Sequence, residues 1–281
     1  MQLTLNGNAA YAYTGGKAFD PALPTAVFIH GAQNDHSVWG LQTRYFAHHG
    51  YSVLAVDLPG HGRSSGPALD SVEAMADWLN ALLDAAGIWK AILIGHSMGS
   101  LIALEAASRQ PARVAGVALV GTAYPMKVST ALLEAARDRE PAAIDMVNIW
   151  SHSTIAQKPS APGPGFYVPG GSRRLMQRMS QRNPAHLFFN DFSACNAYAN
   201  GEQAAASLAA RGCAALFLLG LKDMMTPAKG AATLVAQLPQ ASVVKLETCG
   251  HALMAEQPDQ VLDALFRFAK GALQAAVPST A

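Results

Sequence analysis

The amino-acid sequence predicts an α/β fold: a mostly parallel eight-stranded sheet with helices on both faces, and a helical cap inserted after the sixth strand. Near-continuous apolar segments of strand length alternate with helical segments, as in parallel sheets that are buried on both faces. Between residues 124 and 211 this alternation stops, and helical patterns follow one another. The chain has 281 residues, of which 51% are hydrophobic and 14% charged, so it is long and apolar enough to bury a large core.

The first six strands are predicted from apolar runs between turn signals. Two short β-type segments around Asn6-Gly7 indicate an opening hairpin. The best-signalled helix covers 70–87, because Asp70 and Glu73 form a capping-box pattern and Gly87 ends the apolar stripe. After the hairpin the elements are, in order, a strand at 25–30, a helix at 37–50, a strand from 51 that breaks at Pro59-Gly60, the helix at 70–87, a strand at 90–95, a helix at 98–110 and a strand at 113–121.

The chain is expected to form one core with an insertion. The first part of the core covers 1–123, the helical cap 124–211, and the second part of the core 212–281. Since both ends of the insertion return to the same sheet, a cap over that sheet is favoured over an independent domain. The last elements are a strand at 213–220, a helix from about Pro227 to Leu238, a strand at 242–247, and a helix to about Lys270 that a frayed tail follows.

The insertion is predicted to contain four helical segments. Asn183 is expected to cap the last of them, with Pro184 in its first turn. The segment 158–172 is too rich in proline and glycine for regular structure. The four segments are 130–138, 141–150, 172–182 and 184–199.

Charge, termini and cysteines narrow the functional classes. A net charge of +1 gives no electrostatic reason to expect nucleic acid or a charged membrane as a partner. The N-terminal residues lack a signal-peptide pattern, and no apolar run approaches the length of a membrane span. Cys195, Cys213 and Cys249 have no metal-ligand spacing and are expected to be buried free thiols. We therefore expect a cytoplasmic protein, monomeric or homodimeric, without metal or organic cofactor.

Ser97 lies in the segment Gly-His-Ser-Met-Gly, between a buried strand and a helix. A sharp turn at such a junction raises a side chain above the sheet edge and points the first amides of the helix at the same space. Gly95 and Gly99 fit a turn that is too tight for Cβ atoms. The pattern and its context together predict a nucleophilic serine.

A serine hydroxyl needs a base that a third group orients, and both should follow the serine along the chain. Asp223 comes just after one late strand, and His251 lies in a glycine-marked loop after the last strand. His96 is next to the serine, but on so tight a turn it is expected to point elsewhere, and Glu247 is a weaker rival of Asp223. The predicted triad is Ser97, Asp223 and His251.

Two backbone amides are expected to stabilise the oxyanion that forms when a serine attacks a carbonyl. One is the amide of Met98, directly after the nucleophile. The other is the amide of Ala32, in the loop after the 25–30 strand, where Gly31 allows close approach of the backbone.

These motifs, in this order, resemble the α/β-hydrolase superfamily along nearly the whole chain, and most closely its capped branch of esterases, lactonases and carbon–carbon-bond hydrolases. The segments "DLPGHGRSS", "GLKDMMTP" and "CGHALMAEQPD" are similar to three further motifs of that branch. Asp57, in the first of them, is expected to hold its loop. A serine at position 97 disfavours haloalkane dehalogenases and epoxide hydrolases, which carry aspartate there. The loop "AQNDHSVW" is less typical of carbon–carbon hydrolases, and the lipase-type His-Gly-Gly-Gly is absent.

The insertion is rich in aromatic and methionine side chains, which either line an apolar roof over the substrate or pack the cap helices onto the core. Its arginines either bind an acidic group or form a solvated face. The candidate pocket residues are Asn34, His36, Trp150, Phe188 and Phe189, and the arginines are Arg173, Arg174, Arg178 and Arg182.

The sequence thus predicts a hydrolase of small or medium carboxylic esters that acts through an acyl-enzyme. A lactonase, a carbon–carbon hydrolase of keto-dienoic acids, a cofactor-free perhydrolase and a small-molecule receptor that does not turn over are the alternatives. A small-molecule ester or lactone is the expected partner.

Overall fold

The computed structural model describes residues 1–153, 168–183 and 186–275. Its centre is one eight-stranded sheet in the order β1-β2-β4-β3-β5-β6-β7-β8, which confirms the predicted strand number. The first two strands pair antiparallel to their neighbours, and all other pairs are parallel. The strands are β1 (Gln2–Leu5), β2 (Asn8–Tyr13), β3 (Thr25–Ile29), β4 (Ser52–Val56), β5 (Ala91–His96), β6 (Val114–Val120), β7 (Ala214–Gly220) and β8 (Ser242–Leu246).

Eleven α-helices and three short 3-10 helices lie in the described part of the chain. They are α1 (Gly40–His48), α2 (Val72–Ala85), α3 (Met98–Arg109), α4 (Thr130–Asp138), α5 (Glu140–Ser151), α6 (Val168–Arg182), α7 (Leu187–Ala197), α8 (Gly201–Ala210), α9 (Ala232–Gln237), α10 (Leu253–Glu256) and α11 (Pro258–Ala275).

Helices cover both faces of the sheet, as the apolar strands require. On one face α2, α3, α8 and α9 bury their apolar sides against alternate strand residues, with Leu79 and Leu101 fully buried. On the other face α1 and α11 do the same, with Phe46 and Leu265 at the centre. Because β3 to β8 run parallel, the loops at their carboxyl ends meet along one edge of the sheet.

Helices α4 to α8 follow β6 and precede β7, so the helical insertion lies where the sequence predicts it. Helices α4, α5, α6 and α7 share a separate apolar cluster that includes Leu132, Ile144, Phe188 and Phe192. Helix α8 instead packs against α3 within the core cluster. The boundaries of the cap at 124 and 211 remain a prediction.

Two predicted helix starts are wrong. Helix α2 is capped by Ser71, whose hydroxyl accepts a hydrogen bond from the Ala74 amide at 3.3 Å, and not by Asp70. Asn183 does not cap α7, which begins at Leu187 after a left-handed residue, because its side chain donates to the carbonyl of Gly60 at 3.1 Å. Pro184, assigned to the first turn, lies outside the described residues.

Two predicted boundaries also move. Helix α6 begins at Val168, so residues 168–172 are helical although a loop was expected, while 158–167 lie outside the described residues. The last helix continues to Ala275 rather than to about Lys270, and 276–281 are likewise outside. The three cysteines are buried free thiols, as predicted. In the described part of the chain, no helix has the length and hydrophobicity needed to cross a bilayer.

Candidate active site

Ser97 lies on a strained turn between β5 and α3. Its backbone has φ 53° and ψ −121°, a region that non-glycine residues rarely occupy. A Cβ atom at Gly95 would collide with the carbonyl of Gly99, and one at Gly99 would lie 2.6 Å from the carbonyl of His30. The two glycines thus allow the turn, and the half-buried serine faces a cavity at the carboxyl edge of the sheet.

Asp223 and His251 come together at the same edge. The Asp223 Oδ2 atom lies 2.8 Å from Nδ1 of His251, and both residues are almost fully buried. Asp223 Oδ1 accepts hydrogen bonds from the amides of Met225 and Thr226, at 2.8 and 2.7 Å. Burial alone would raise the pKa of Asp223, but the charge of His251 and these hydrogen bonds bring it below its usual range. The carboxylate therefore stays ionised and orients the imidazole.

Thr226 belongs to this group, although the sequence analysis did not select it. Its hydroxyl lies 2.8 Å from Asp223 Oδ2, 2.9 Å from the Gly121 carbonyl and 3.0 Å from His251 Nδ1. A hydroxyl carries one hydrogen, so it donates to one of the two oxygens and can accept from the imidazole. The only sequence signal is its position before the proline of the Asp223 loop.

The His251 loop is fixed by the end of helix α5. The carbonyl of Ser151 accepts from the amides of His251 and Ala252, at 2.8 and 2.9 Å. The carboxylate of Glu256 accepts from the amides of Gly250 and Ser153, at 3.2 and 3.0 Å. The glutamate of the "CGHALMAEQPD" motif therefore holds the backbone around the histidine.

His96 does not point away from the site, contrary to our expectation. Its ring centroid lies 4.7 Å from that of His251, and its Nε2 lies 2.8 Å from the His251 carbonyl. Since a carbonyl only accepts, His96 Nε2 carries the hydrogen. Burial, together with the nearby charge of His251, lowers the pKa of His96 to about 3. His96 is thus a neutral neighbour of His251 and a poor general base.

The loop after β3 lies directly against the serine. A Cβ atom at Gly31 would sit 3.1 Å from Cβ of Ser97, so only glycine allows this approach without displacement. Ala32, the next residue, lines the cavity beside Ser97. Met98 is the first residue of α3, and the first amides of a helix have no partner within it. Both predicted oxyanion donors are therefore adjacent to Ser97, and their role remains a prediction.

Gln33 ties this loop to the insertion. It is fully buried with φ 57°, and its amide donates to Asp191 Oδ2 of α7 at 2.8 Å. Its side-chain nitrogen lies within hydrogen-bonding distance of Glu140 of α5 and of Ser180 of α6, at 2.9 and 2.8 Å. His61 contacts the same Asp191 oxygen through Nε2 at 2.9 Å. Three insertion helices thus hold the residue that follows Ala32.

Asp57 holds its loop, as the sequence analysis expected. Its Oδ1 accepts from the His36 amide and contacts the His36 ring, both at 2.8 Å, and its Oδ2 accepts from the Arg63 amide at 2.8 Å. His36 lies between Asp57 and the rings of Tyr11 and Tyr13, and it is not among the described residues that line the cavity at Ser97. Its pocket role remains a prediction.

The cavity above Ser97 has a volume of about 1000 Å³. Asn34 lines it, while Trp150 lines a smaller adjoining cavity of about 260 Å³ that also reaches Ser97. Contact of either residue with a substrate remains a prediction. Phe188 and Phe189 are not among the described residues that line either cavity, and both pack in the apolar cluster of the insertion. A pocket role for these two residues remains a prediction.

Among the described residues, Asp35, His36 and Asp57 could bring ligand atoms within 4.8 Å of one another around a metal ion. Their atoms are already engaged, since Asp57 binds His36 and Asp35 accepts from the Ser37 amide at 2.9 Å. These contacts account for the cluster without an ion.

The alpha/beta hydrolase fold family model matches residues 24–258, so the chain belongs to this family. Together with the geometry of the site, the match defines the protein as a hydrolase of this fold.

Curated relatives match shorter segments. A dihydrolipoyllysine-residue acetyltransferase component of an acetoin cleaving system, from Cupriavidus necator, is 41% identical over 39% of this chain and 28% of its own length. A 2-succinyl-6-hydroxy-2,4-cyclohexadiene-1-carboxylate synthase from Escherichia coli is 38% identical over 36% of this chain and 39% of its own length. The chain thus matches well under half the length of either relative.

Among solved structures, Est816, described as an N-acyl homoserine lactone degrading enzyme, superposes with a TM-score of 0.80. The alignment covers 95% of this chain and all of Est816, at 20% sequence identity. At that identity the likeness establishes the fold.

Proposed function

We propose that the protein is a serine hydrolase that cleaves a small or medium carboxylic ester through an acyl-enzyme intermediate. The observation that carries the proposal is the 2.8 Å contact between His251 and the buried Asp223, in a cavity that Ser97 also lines. An imidazole oriented by a carboxylate is the base that a serine hydroxyl needs. In this proposal the insertion at 124–211 acts as a cap, since α5 and α6 both contribute to the cavity.

In the proposed reaction, Oγ of Ser97 attacks the ester carbonyl while Nε2 of His251 takes the hydroxyl proton. Asp223 accepts the Nδ1 hydrogen bond and stabilises the imidazolium. The amides of Ala32 and Met98 bind the oxyanion. When the tetrahedral intermediate collapses, the alcohol leaves with the proton from His251. Water then attacks the acyl-enzyme with the same assistance, which releases the acid and frees the serine.

A lactone is the second candidate, because it is a cyclic ester that the same groups would open. The structural neighbour described as a lactone-degrading enzyme supports testing it. Carbon–carbon cleavage and perhydrolysis require other co-reactants or substrates, and a receptor would show ligand binding without multiple turnover.

The test is a panel of p-nitrophenyl esters from acetyl to dodecanoyl, with simple lactones, assayed on wild type, Ser97→Ala and Ser108→Ala. We expect a burst of nitrophenolate followed by turnover in the wild type. Removal of a triad serine typically costs about 10⁴-fold or more in kcat. Ser108 lies on the same helix, and its hydroxyl bonds the Glu105 carbonyl, so Ser108→Ala should remain active.

Two results would contradict the proposal. Turnover that survives in Ser97→Ala would exclude the acyl-enzyme at this serine. Absence of turnover on every ester and lactone by a folded wild type would exclude both candidate reactions and favour the receptor alternative.

A further inference from the structure

Helix α6 presents a polar row to the cavity. Arg174, Gln177, Arg178 and Gln181 all line it. Spacings of three and four residues place them on one side of the helix. On this side the cavity is thus lined by amide and guanidinium groups, which could bind a polar group of a ligand.

Permanent charge in the cavity is of one sign. Arg174 and Arg178 are charged, and none of the described residues that line the cavity is Asp or Glu. Arg178 Nη2 pairs with Oδ2 of the buried Asp35 at 3.2 Å. Arg174 has no ion-pair partner in the part of the chain that the structure describes. One positive charge in the cavity is therefore left uncompensated.

The other two arginines of the helix are engaged elsewhere. Arg173 pairs with Asp145 of α5 at 2.6 Å, and Arg182 donates to the carbonyl of Gly62 at 2.9 Å. Neither belongs to the described lining of the cavity. The helix thus separates structural arginines from arginines that face the cavity, and a uniformly solvated basic face would not make that distinction.

The titratable neighbour on this side adds no charge. His152 also lines the cavity, and its Nδ1 lies 2.7 Å from the Asn148 carbonyl, so Nδ1 carries the hydrogen. Its Nε2 accepts from the hydroxyl of Ser172 at 3.2 Å. Burial lowers the pKa of His152, which keeps the ring neutral. On this side of the cavity the charges are thus those of Arg174 and Arg178, and Asp35 pairs with Arg178.

We propose, on the premise that the proposed function holds, that the substrate carries a carboxylate at the end remote from the scissile bond, and that Arg174 binds it with Arg178 beside it. The guanidinium fork matches a carboxylate in two parallel hydrogen bonds. One uncompensated positive charge calls for one negative charge, which favours a carboxylate monoanion. The neighbouring glutamines add neutral donors to the same oxygens.

The probes are mono-p-nitrophenyl esters of adipic, suberic and sebacic acid, each compared with the p-nitrophenyl alkanoate of equal length. The measured quantity is the ratio of kcat/KM for the half-ester to kcat/KM for the neutral ester. We expect a ratio of about ten or more at the optimal length, since a hydrogen-bonded charge pair typically contributes that much. Because Arg174 is exposed, the ratio should fall as salt screens the charge.

Arg174→Gln should reduce the ratio about tenfold, and Arg174→Lys by less, because the ammonium keeps the charge but loses the fork. Arg178→Gln should reduce it to a smaller extent, since Asp35 already occupies that side chain. Arg173→Gln is the matched control and should leave the ratio unchanged. A wild-type ratio near one, or equal ratios in wild type and Arg174→Gln, would overturn the proposal.

A binding measurement separates this proposal from the proposed function. Suberic acid monoamide and octanamide are titrated by calorimetry into Ser97→Ala, with and without Arg174→Gln. Stronger binding of the monoamide that is lost with Arg174 supports the carboxylate site, even if every ester proves inert. Equal binding of the two amides contradicts the site, whether or not the protein hydrolyses esters.

Discussion

Acid should unfold this protein through two buried imidazoles beside the candidate active site, His30 and His96. In His96, Nε2 donates to the His251 carbonyl, and Nδ1 is buried without a hydrogen-bond partner among the described residues. A proton on Nδ1 would place an unpaired charge there, and burial lowers the pKa to about 3. In His30, Nδ1 donates to the Gly31 carbonyl and Nε2 accepts from the Leu58 amide, and burial lowers the pKa to about 4.

The sign follows from comparing the folded and unfolded states. An exposed histidine in the unfolded chain has a pKa near 6.5, so as the pH falls the unfolded state binds a proton that the folded state refuses. Each such histidine destabilises the fold by about 1.4 kcal/mol per pH unit below that value. Between pH 6.5 and pH 4 the loss is about 3 kcal/mol for His96 and a similar amount for His30. Their sum approaches the whole stability of an ordinary domain, about 5–15 kcal/mol.

Other shifted groups act in both directions. Burial also lowers the pKa of His152, which adds to the loss, and burial raises the pKa of Glu256, which opposes it near the acid end of this window. The pKa of His61 is raised, because the charge of Asp191 and a hydrogen bond to it outweigh burial, so its stabilisation is complete below pH 6.5 and adds no slope there. The pKa values of Asp57 and Asp223 are lowered below the ordinary 3.8, so their stabilisation is lost only at more acid pH. Between pH 6.5 and 4, the buried neutral imidazoles should therefore dominate.

Urea unfolding followed by circular dichroism at pH 7.5, 6.5, 5.5 and 4.5 measures the slope. His96→Asn should reduce it by about one proton, or about 1.4 kcal/mol per pH unit, and His48→Asn, at an exposed position of α1, controls for loss of an imidazole. If His96→Asn does not fold, the ring ¹⁵N shifts of the wild type report the same quantity and should show His96 neutral at pH 5. A flat stability profile in the wild type, or equal slopes in wild type and His96→Asn, would refute the reasoning.

Three further substitutions probe the supports of the site. Thr226→Val should lower kcat about tenfold at unchanged KM, because the hydroxyl helps to orient His251. Thr226→Ser keeps the hydroxyl and should restore kcat. Equal losses of kcat in the two variants, measured by steady-state kinetics, would contradict this. Gly95→Ala should lower stability by about 3 kcal/mol or more, because its methyl group collides with backbone, and an unchanged melting temperature would contradict the tight turn. Asp191→Ala should lower the free energy of unfolding by about 2–5 kcal/mol and reduce kcat, because it leaves the buried Gln33 amide unpaired. Urea unfolding measures the first effect and steady-state kinetics the second. An unaltered kcat would show that this contact does not support the proposed oxyanion loop.

The sheet edge that carries Ser97, Asp223 and His251 could be predicted from the sequence because local signals fix it. A serine between two glycines at a strand-to-helix junction indicates a tight turn with an unusual backbone conformation at the serine. The structure shows this conformation, with φ 53° at Ser97. The positions of Asp223 and His251 follow from strand ends, which apolar runs mark well. The contact between them then results from the parallel sheet, which brings its carboxyl ends together.

The inner face of the insertion could not be predicted in the same way. Hydrophobic periodicity shows which side of a helix is buried, but a polar cavity and bulk solvent favour the same side chains. Arg174 therefore looks alike in sequence whether it faces substrate or water, and Phe188 looks alike whether it lines a pocket or packs a helix. The rotation of each helix about its axis decides where Arg174 and Phe188 point. Packing between α5, α6 and α7 determines that rotation.

Contacts that span distant parts of the chain escaped sequence reasoning for a related reason. Asn183 matches an N-cap pattern, yet its side chain binds Gly60, which is 123 residues away. His36 follows the oxyanion loop, as a pocket residue would, yet Asp57 binds its ring. In each case a local rule suggested one role, and the structure shows a tertiary hydrogen bond instead.

Two other long-range contacts connect the insertion to both sides of the candidate site. It reaches one side of the site through Asp191, which binds the amide of Gln33 beside the proposed oxyanion donor. It reaches the other side through Ser151, whose carbonyl holds the backbone of His251. An insertion that only covered the cavity would need neither contact. Because these contacts bear on both the Ala32 loop and His251, displacement of the insertion would disturb both sides of the candidate site.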